Sequence, residues 1–180
     1  MSTAVDPFLV LADLDARCRQ GGAATAPRMD EQGDGWSGVA FILNGVRMVA
    51  PLGEVTEILH LPHTTKVPGA RAWLRGVANV RGSLVPIADL PMFFGRRQGA
   101  TGKRQRVLVI NHDQNQIGII VDDVLGLQHF TADQRQESPG DIDETLRPYV
   151  LGAFSREENL WPVFSPQALT RHASFKQVAL

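Results

Sequence analysis

Residues 75–90 read Arg-Gly-Val-Ala-Asn-Val-Arg-Gly-Ser-Leu-Val-Pro-Ile-Ala-Asp-Leu. Two apolar runs flank a turn marked by Gly82, so the stretch predicts two short strands joined tightly. One cation, Arg81, is set among Val and Ile. A cation in a run built for burial needs a partner, because an unpaired buried charge is very costly. No catalytic group accompanies it. The stretch therefore points to a folded surface that binds another protein rather than to an enzyme.

The pattern repeats on both sides. Gly38–Leu43 reads as a strand, Asn44-Gly45 is a strong hairpin signal, and Val46–Ala50 is the return strand. Val55, Ile58 and Leu59 fit one face of a short helix or an irregular strand. Leu61–Gly69 holds Pro62 and Pro68 and reads as a loop, and 70–74 reads as a helical turn carrying Trp73. Further on, Val107–Ile110 and Ile117–Val124 form a hairpin about the turn 112–115, with 124–130 continuing as a bent strand. The run Ile117-Gly-Ile-Ile-Val-Asp122 is almost wholly apolar, as expected of a strand buried on both faces. Residues 131–147 are polar. Val150–Phe154 and Leu160–Phe164 make a last hairpin about 157–159, and Pro166–His172 reads as a terminal helix. Eight to ten short strands with frequent turns imply small barrels rather than βαβ units.

Before Trp36 the composition differs. Asp6-Pro7 starts a helix, Phe8, Leu11, Leu14 and Cys18 recur on one face, and Gly21-Gly22 ends it. Residues 21–35 lack periodicity and read as a linker. The sequence thus divides into 1–35 (amphipathic helix over about 7–20, plus linker), a domain over 36–170, and a tail over 171–180.

The net charge of −1 gives no global attraction for nucleic acid or anionic membrane. A single cysteine excludes an internal disulfide and a Cys-based zinc site. Apolar runs fall well short of a membrane span. The acidic N-terminus lacks a signal peptide's basic region, which places the chain in the cytoplasm.

Individual motifs mostly read as ordinary. His60 and His63 lie in or beside a Pro-bounded loop with no third metal ligand nearby, so loop histidines are the better reading. Asp122 and Asp123 are adjacent in a strand and point to opposite faces, which rules out an acid–base pair. Asp141, Asp143 and Glu144 lack calcium-loop spacing. Residues 99–103 superficially resemble a phosphate loop, but Arg97 stands where the first Gly belongs and Arg104 where Ser or Thr belongs. The basic loop 96–106 leaves an oligonucleotide-binding barrel as an alternative, weakened by the scarcity of aromatics. No cofactor or nucleophile motif is present.

Glu57 and Arg81 are the pair to single out. Each sits in apolar surroundings, and together they form either two separate, partly exposed charges or a bidentate pair that fixes two strands beside a groove.

Gly76-Val-Ala-Asn-Val-Arg81-Gly82 followed by Val85-Pro-Ile-x-Asp89-Leu90 resembles the signature of the CheW-like chemotaxis coupling domain. Val55-Thr-Glu57-Ile58 and Gly118-Ile-Ile-Val-Asp122-x-Val124 are similar to two further family motifs, in the same order. The last hairpin resembles the family's Gly-rich C-terminal hairpin, although 154–159 departs from it. The N-terminal helix, Trp36-Ser-Gly, Leu59-His60-x-Pro62, Pro68-Gly69-x-x-x-Trp73 and Leu125-Gly126-Leu-Gln-His129-Phe130 resemble the branch that serves type IV pilus systems and twitching motility.

The resemblance implies a mainly β fold of two five-stranded SH3-like barrels with a groove between them. It implies a non-catalytic adaptor, without cofactor, that couples a methyl-accepting chemoreceptor's cytoplasmic tip to the regulatory domain of a CheA-type histidine kinase. Carried over by motif, Glu57 and Arg81 become a charge pair near the receptor groove, and Val55, Gly76 and Val107 lie at or near the receptor-facing surface. A flagellar chemotaxis adaptor of the same fold is the nearest alternative.

Overall fold

A computed structural model describes residues 35–95, 102–112 and 115–177 of the chain. The helix expected over 7–20, Cys18, and residues 96–101 of the basic loop lie outside the described residues.

The described residues open on a hairpin, β1 (Gly35–Leu43) and β2 (Val46–Pro51). Asn44 and Gly45 both take positive φ, 52° and 81°, the two-residue turn whose twist matches antiparallel strands. A 3-10 turn at Leu52–Glu54 leads into β3 (Val55–His60). That segment, open between helix and strand in the sequence, is a strand with a bulge between Val55 and Glu57. Next come β4 (Leu74–Val80), β5 (Ser83–Asp89) and the short helix α1 (Leu90–Phe93). Then follow β6 (Arg106–His112), β7 (Asn115–Val121), β8 (Asp123–Thr131) and a two-residue β9 (Arg135–Gln136). The chain continues through β10 (Val150–Arg156), β11 (Asn159–Phe164), α2 (Pro166–Arg171) and α3 (Ala173–Lys176).

Two sheets result. One has the order β8-β1-β2-β11-β10-β9, the other β3-β6-β7-β5-β4. The chain starts in the first, builds the whole of the second, and returns. The mainly β, two-subdomain architecture is therefore present, with β9 as a sixth strand in the first sheet. Residues 117–124, expected as one strand that bends onward, instead break at Asp122. The Asp122 amide donates to the Ile42 carbonyl at 2.9 Å, and β8 then pairs with β1 in the other sheet.

Alternation along each strand divides the core in three. Val39, Phe41, Leu108, Ile110, Ile119 and Val121 point into a core shared by the two sheets. Val107, Val109 and Ile120 point the other way, into the interior of the second subdomain with Val85 and Ile87. Trp36, Phe130 and Phe154 fill the first, with ring centroids of the latter two 4.6 Å apart. Strand β7 is thus buried on both faces because it lies between two cores, as its unbroken apolar run requires.

Residues 171–177, within the stretch expected as a tail, belong to the packed structure. Phe175 on α3 is 5% exposed and stacks on Trp73 at 5.1 Å. Glu54 holds the other side of this helical cap, accepting from the Gln167 amide at 3.4 Å. Burial raises the Glu54 carboxyl above its ordinary value, outweighing that bond and the nearby Arg171 charge. The native state therefore holds a proton that the unfolded chain releases, and stability falls as pH rises through that window. Glu54→Gln keeps the acceptor and removes the charge. It is expected to flatten this decline, checked by urea unfolding midpoints at about pH 5 and about pH 7.

The turn between β10 and β11 carries a built-in cost. Glu157 and Glu158 take φ of 51° and 62°, a left-handed conformation that disfavours side chains with a Cβ. Glu158→Gly is expected to stabilise the protein by about 1 kcal/mol, read as a raised urea midpoint at unchanged slope.

Candidate functional site

The opening motif folds as the hairpin β4–β5, and its turn places the candidate site. Arg81 and Gly82 occupy the two central turn positions, with φ of 49° and 87°. The Asn79 side-chain oxygen accepts from the Gly82 amide at 2.8 Å and fixes the turn. Arg81 is therefore not a cation within a buried run. Its side chain is 80% exposed, because its apolar sequence neighbours belong to the strands while it sits on the corner between them.

The pairing expected from sequence is nevertheless made. Arg81 Nη2 lies 2.8 Å from Glu57 Oε1, with the Glu57 side chain 22% exposed. β3 and β4 are the two edges of the five-stranded sheet. The contact from β3 to the β4–β5 turn thus spans the open side of the curled sheet and closes the subdomain electrostatically. With Arg81 so exposed, the pair is worth under about 1 kcal/mol to folding.

The remaining candidates divide by burial. Val55 is half-buried against the shared core. Val107 is fully buried, aligned with Leu59 and Ile120 inside the second subdomain. It presents no surface to a partner and can act only through packing, which corrects its expected surface position. Gly76 is also buried, beneath the segment 65–66. Thr65 and Val77 exchange two backbone hydrogen bonds of 2.9 Å across the outer edge of β4. At Gly76 φ is 140°, and a Cβ would overlap the Thr65 carbonyl oxygen and come within 2.7 Å of its carbon.

Several large apolar side chains are uncovered. Leu84, just past the turn, is 77% exposed. On β3, Ile58 is aligned with Leu108 and so stands on the shared-core side of the sheet, yet it is exposed. The edge strand β8 does the same in the other sheet. Leu127 is aligned with Val39, and both Leu125 and Leu127 are exposed. Leu52, on the connection between the subdomains, is exposed as well. Single exposed leucines are common, but Ile58, Leu125, Leu127 and Leu52 lie on edge strands and the linker that border the shared core.

Other sequence candidates have structural roles. Asp89 Oδ1 accepts from the Met92 amide at 3.0 Å as the cap of α1, and its Oδ2 lies 3.6 Å from Arg75 Nη1. The Asp-Leu-Pro order at 89–91 suits such a cap, a signal the reading of the sequence did not use. Asp122 Oδ2 accepts from the Gly45 amide at 3.3 Å, and Asp123 Oδ1 from the Val124 amide at 2.9 Å, so both serve the crossover between sheets. Among the described residues no group of three or more His, Cys, Asp or Glu side chains gathers as a metal site. Among them, too, no helix is long and apolar enough to cross a membrane.

The arrangement combines a strand framework, a charge pair at the rim of the second subdomain, and apolar side chains on open edges. Comparisons with known proteins identify the family. The CheW-like domain matches residues 37–174. Over all 180 residues, covering both chains completely, the sequence is 45% identical to the protein PilI of Pseudomonas aeruginosa. It is 29% identical over 131 residues to the chemotaxis protein CheW of Klebsiella aerogenes, covering 73% of this chain and 79% of that one. The crystal structure of the scaffolding protein TtCheW from Thermoanaerobacter tengcongensis shares the fold. Its TM-score is 0.67 at 20% identity, covering 77% of this chain and 94% of that one. The chain belongs to the CheW-like domain family and is a scaffold adaptor of a chemosensory system.

Proposed function

We propose that this protein is a non-catalytic, cytoplasmic adaptor that couples the tip of a methyl-accepting chemoreceptor to the regulatory domain of a CheA-type histidine kinase, in an array controlling type IV pilus twitching motility. The observation that carries the pilus assignment is the full-length likeness to PilI. It extends through the N-terminal 36 residues, which the CheW-like domain match leaves out.

A receptor tip is a helical hairpin, and such helices dock by laying an apolar stripe against a groove. Ile58, Leu125 and Leu127 supply apolar surface of that kind, and Leu84 stands beside the Glu57–Arg81 pair. In this reading Glu57 and Arg81 meet the receptor directly. Val55 shapes the base of the site, and Gly76 and Val107 hold its framework. Charges at the rim set orientation and exclude wrong partners more than they add affinity. Individually weak contacts of this sort gain strength when many are linked in an array.

The flagellar alternative is favoured by the likeness to a chemotaxis protein CheW. Deleting the gene and scoring surface twitching beside swimming separates the two. Lost twitching with intact swimming is expected; lost swimming with intact twitching assigns the adaptor to a flagellar system.

A further inference from the structure

The first subdomain opens at one end onto a polar cavity of about 180 Å³, lined by Arg47, Gln128, Arg156, Glu157, Asn159 and Trp161. Strand alternation brings these side chains together. Val49, Phe130, Phe154 and Val163 fill the interior of this subdomain, and positions two residues apart along a strand share a face. Arg47 on β2, Gln128 on β8, Arg156 on β10 and Trp161 on β11 are such positions, and Asn159 follows Trp161 at the same spacing. Four strands of one curled sheet therefore present polar side chains on its inner face, at the mouth. Trp161 packs beside Phe130 there, with ring centroids 6.1 Å apart. Mouths of barrel-like sheets are preferred places for ligand sites.

The cavity is rich in donors and poor in acceptors. Arg47 Nη1 donates to the Asn159 side-chain oxygen at 3.5 Å, and Arg156 Nη1 to the Gln128 side-chain oxygen at 3.3 Å. Both contacts are long and end on neutral groups, while each guanidinium carries five N–H donors. The Asn159 side-chain amide in turn donates to the Glu157 carbonyl at 2.9 Å, which fixes its oxygen toward Arg47. Among the described residues, Glu157 is the one carboxylate on the lining. It lies 3.8 Å from Arg156 Nε and is 80% exposed, so an incoming anion can displace it into water. Two guanidiniums on one small cavity repel each other until an anion enters. Two cations match a dianion, and planar forks of donors match the several oxygens of a phosphate. The volume is the share of about six water molecules, room for a phosphate and little more.

We propose that this cavity binds a phosphate dianion between Arg47 and Arg156, either free or as the head of a small monoester, with Glu157 displaced from Arg156. Trp161 supplies an apolar wall for the ester's carbon part. The Glu57–Arg81 pair belongs to the other sheet, and the inference stands whichever partners the adaptor couples.

Nuclear magnetic resonance titration of the isotope-labelled full chain tests it, read at the Trp161 indole N–H and the Arg47 and Arg156 Nε–H signals. Inorganic phosphate and glycerol phosphate are the probes, with sodium chloride at matched ionic strength as control. Saturable shifts are expected with the phosphates, at a dissociation constant of about 1 mM or tighter, and none with chloride. Tighter binding of glycerol phosphate makes the ligand a monoester; equal or weaker binding makes it free phosphate. Arg47→Gln and Arg156→Gln, both at exposed positions, are each expected to weaken binding ~10-fold. Glu157→Gln is expected to tighten it several-fold. Shifts that do not saturate, that chloride reproduces, or that survive both arginine substitutions overturn the proposal.

Discussion

Gly76→Ala is expected to cost about 3–5 kcal/mol of folding stability, a large share of what a domain this size possesses. The new methyl has nowhere to go. At Gly76 φ is 140°, and the Cβ position is taken by the Thr65 carbonyl, with the Lys66 amide 3.1 Å away. Both neighbours are backbone, and the paired hydrogen bonds between Thr65 and Val77 hold them in place. Relief requires peeling 61–70 from the edge of β4, which uncovers a strand edge and strips two hydrogen bonds. Gly82→Ala is the control. That glycine also takes a positive φ, 87°, but nothing lies within 4 Å of its Cβ position. It should cost only about 1 kcal/mol. Urea unfolding of both variants separates crowding from conformation. Equal losses would mean that strain alone, and not the approach of Thr65, requires glycine at position 76.

Arg81→Glu is expected to behave in the opposite manner: stability changes by less than about 1 kcal/mol, while affinity for a receptor-tip fragment falls ~30-fold or more. Arg81 is largely exposed, and Glu57, 22% exposed, still reaches water when the pair is lost. Two carboxylates then face one another at the rim, and the partner meets a reversed charge. Pairing Arg81→Glu with Glu57→Arg rebuilds the ion pair in the reverse sense. Melting curves should recover fully and receptor binding should not. Recovery of both would reduce the pair to a strut.

The fold was largely legible because its signals are local. Asn44-Gly45 marks a turn that only left-handed residues make, and the unbroken run 117–121 marks a strand between two cores. The pairing of Glu57 with Arg81 was legible for a different reason, since complementary charges in apolar surroundings imply a partner. Its burial was misread because Val80 and Arg81 are neighbours in sequence but not in environment: one closes a strand, the other forms the corner. Arginine at a positive φ leaves no mark in composition. Val107 was placed at or near a surface, but β6 is buried on both faces, Leu108 and Ile110 in the shared core and Val107 and Val109 inside the second subdomain. Phe175 was missed because a lone apolar residue amid Ala-Ser and Lys has no period, and only the stacking against Trp73 reveals it.

Co-assembly of three purified proteins is the most direct measurement: this chain, the regulatory domain of the CheA-type kinase, and a receptor-tip fragment, followed by sedimentation velocity. The expected result is a complex in which kinase domain and receptor fragment sediment together only when the adaptor is present. With Arg81→Glu, the kinase contact should persist while the receptor fragment is released. Receptor and kinase fragments that sediment together equally well without the adaptor, or an adaptor that binds neither, would contradict the coupling function.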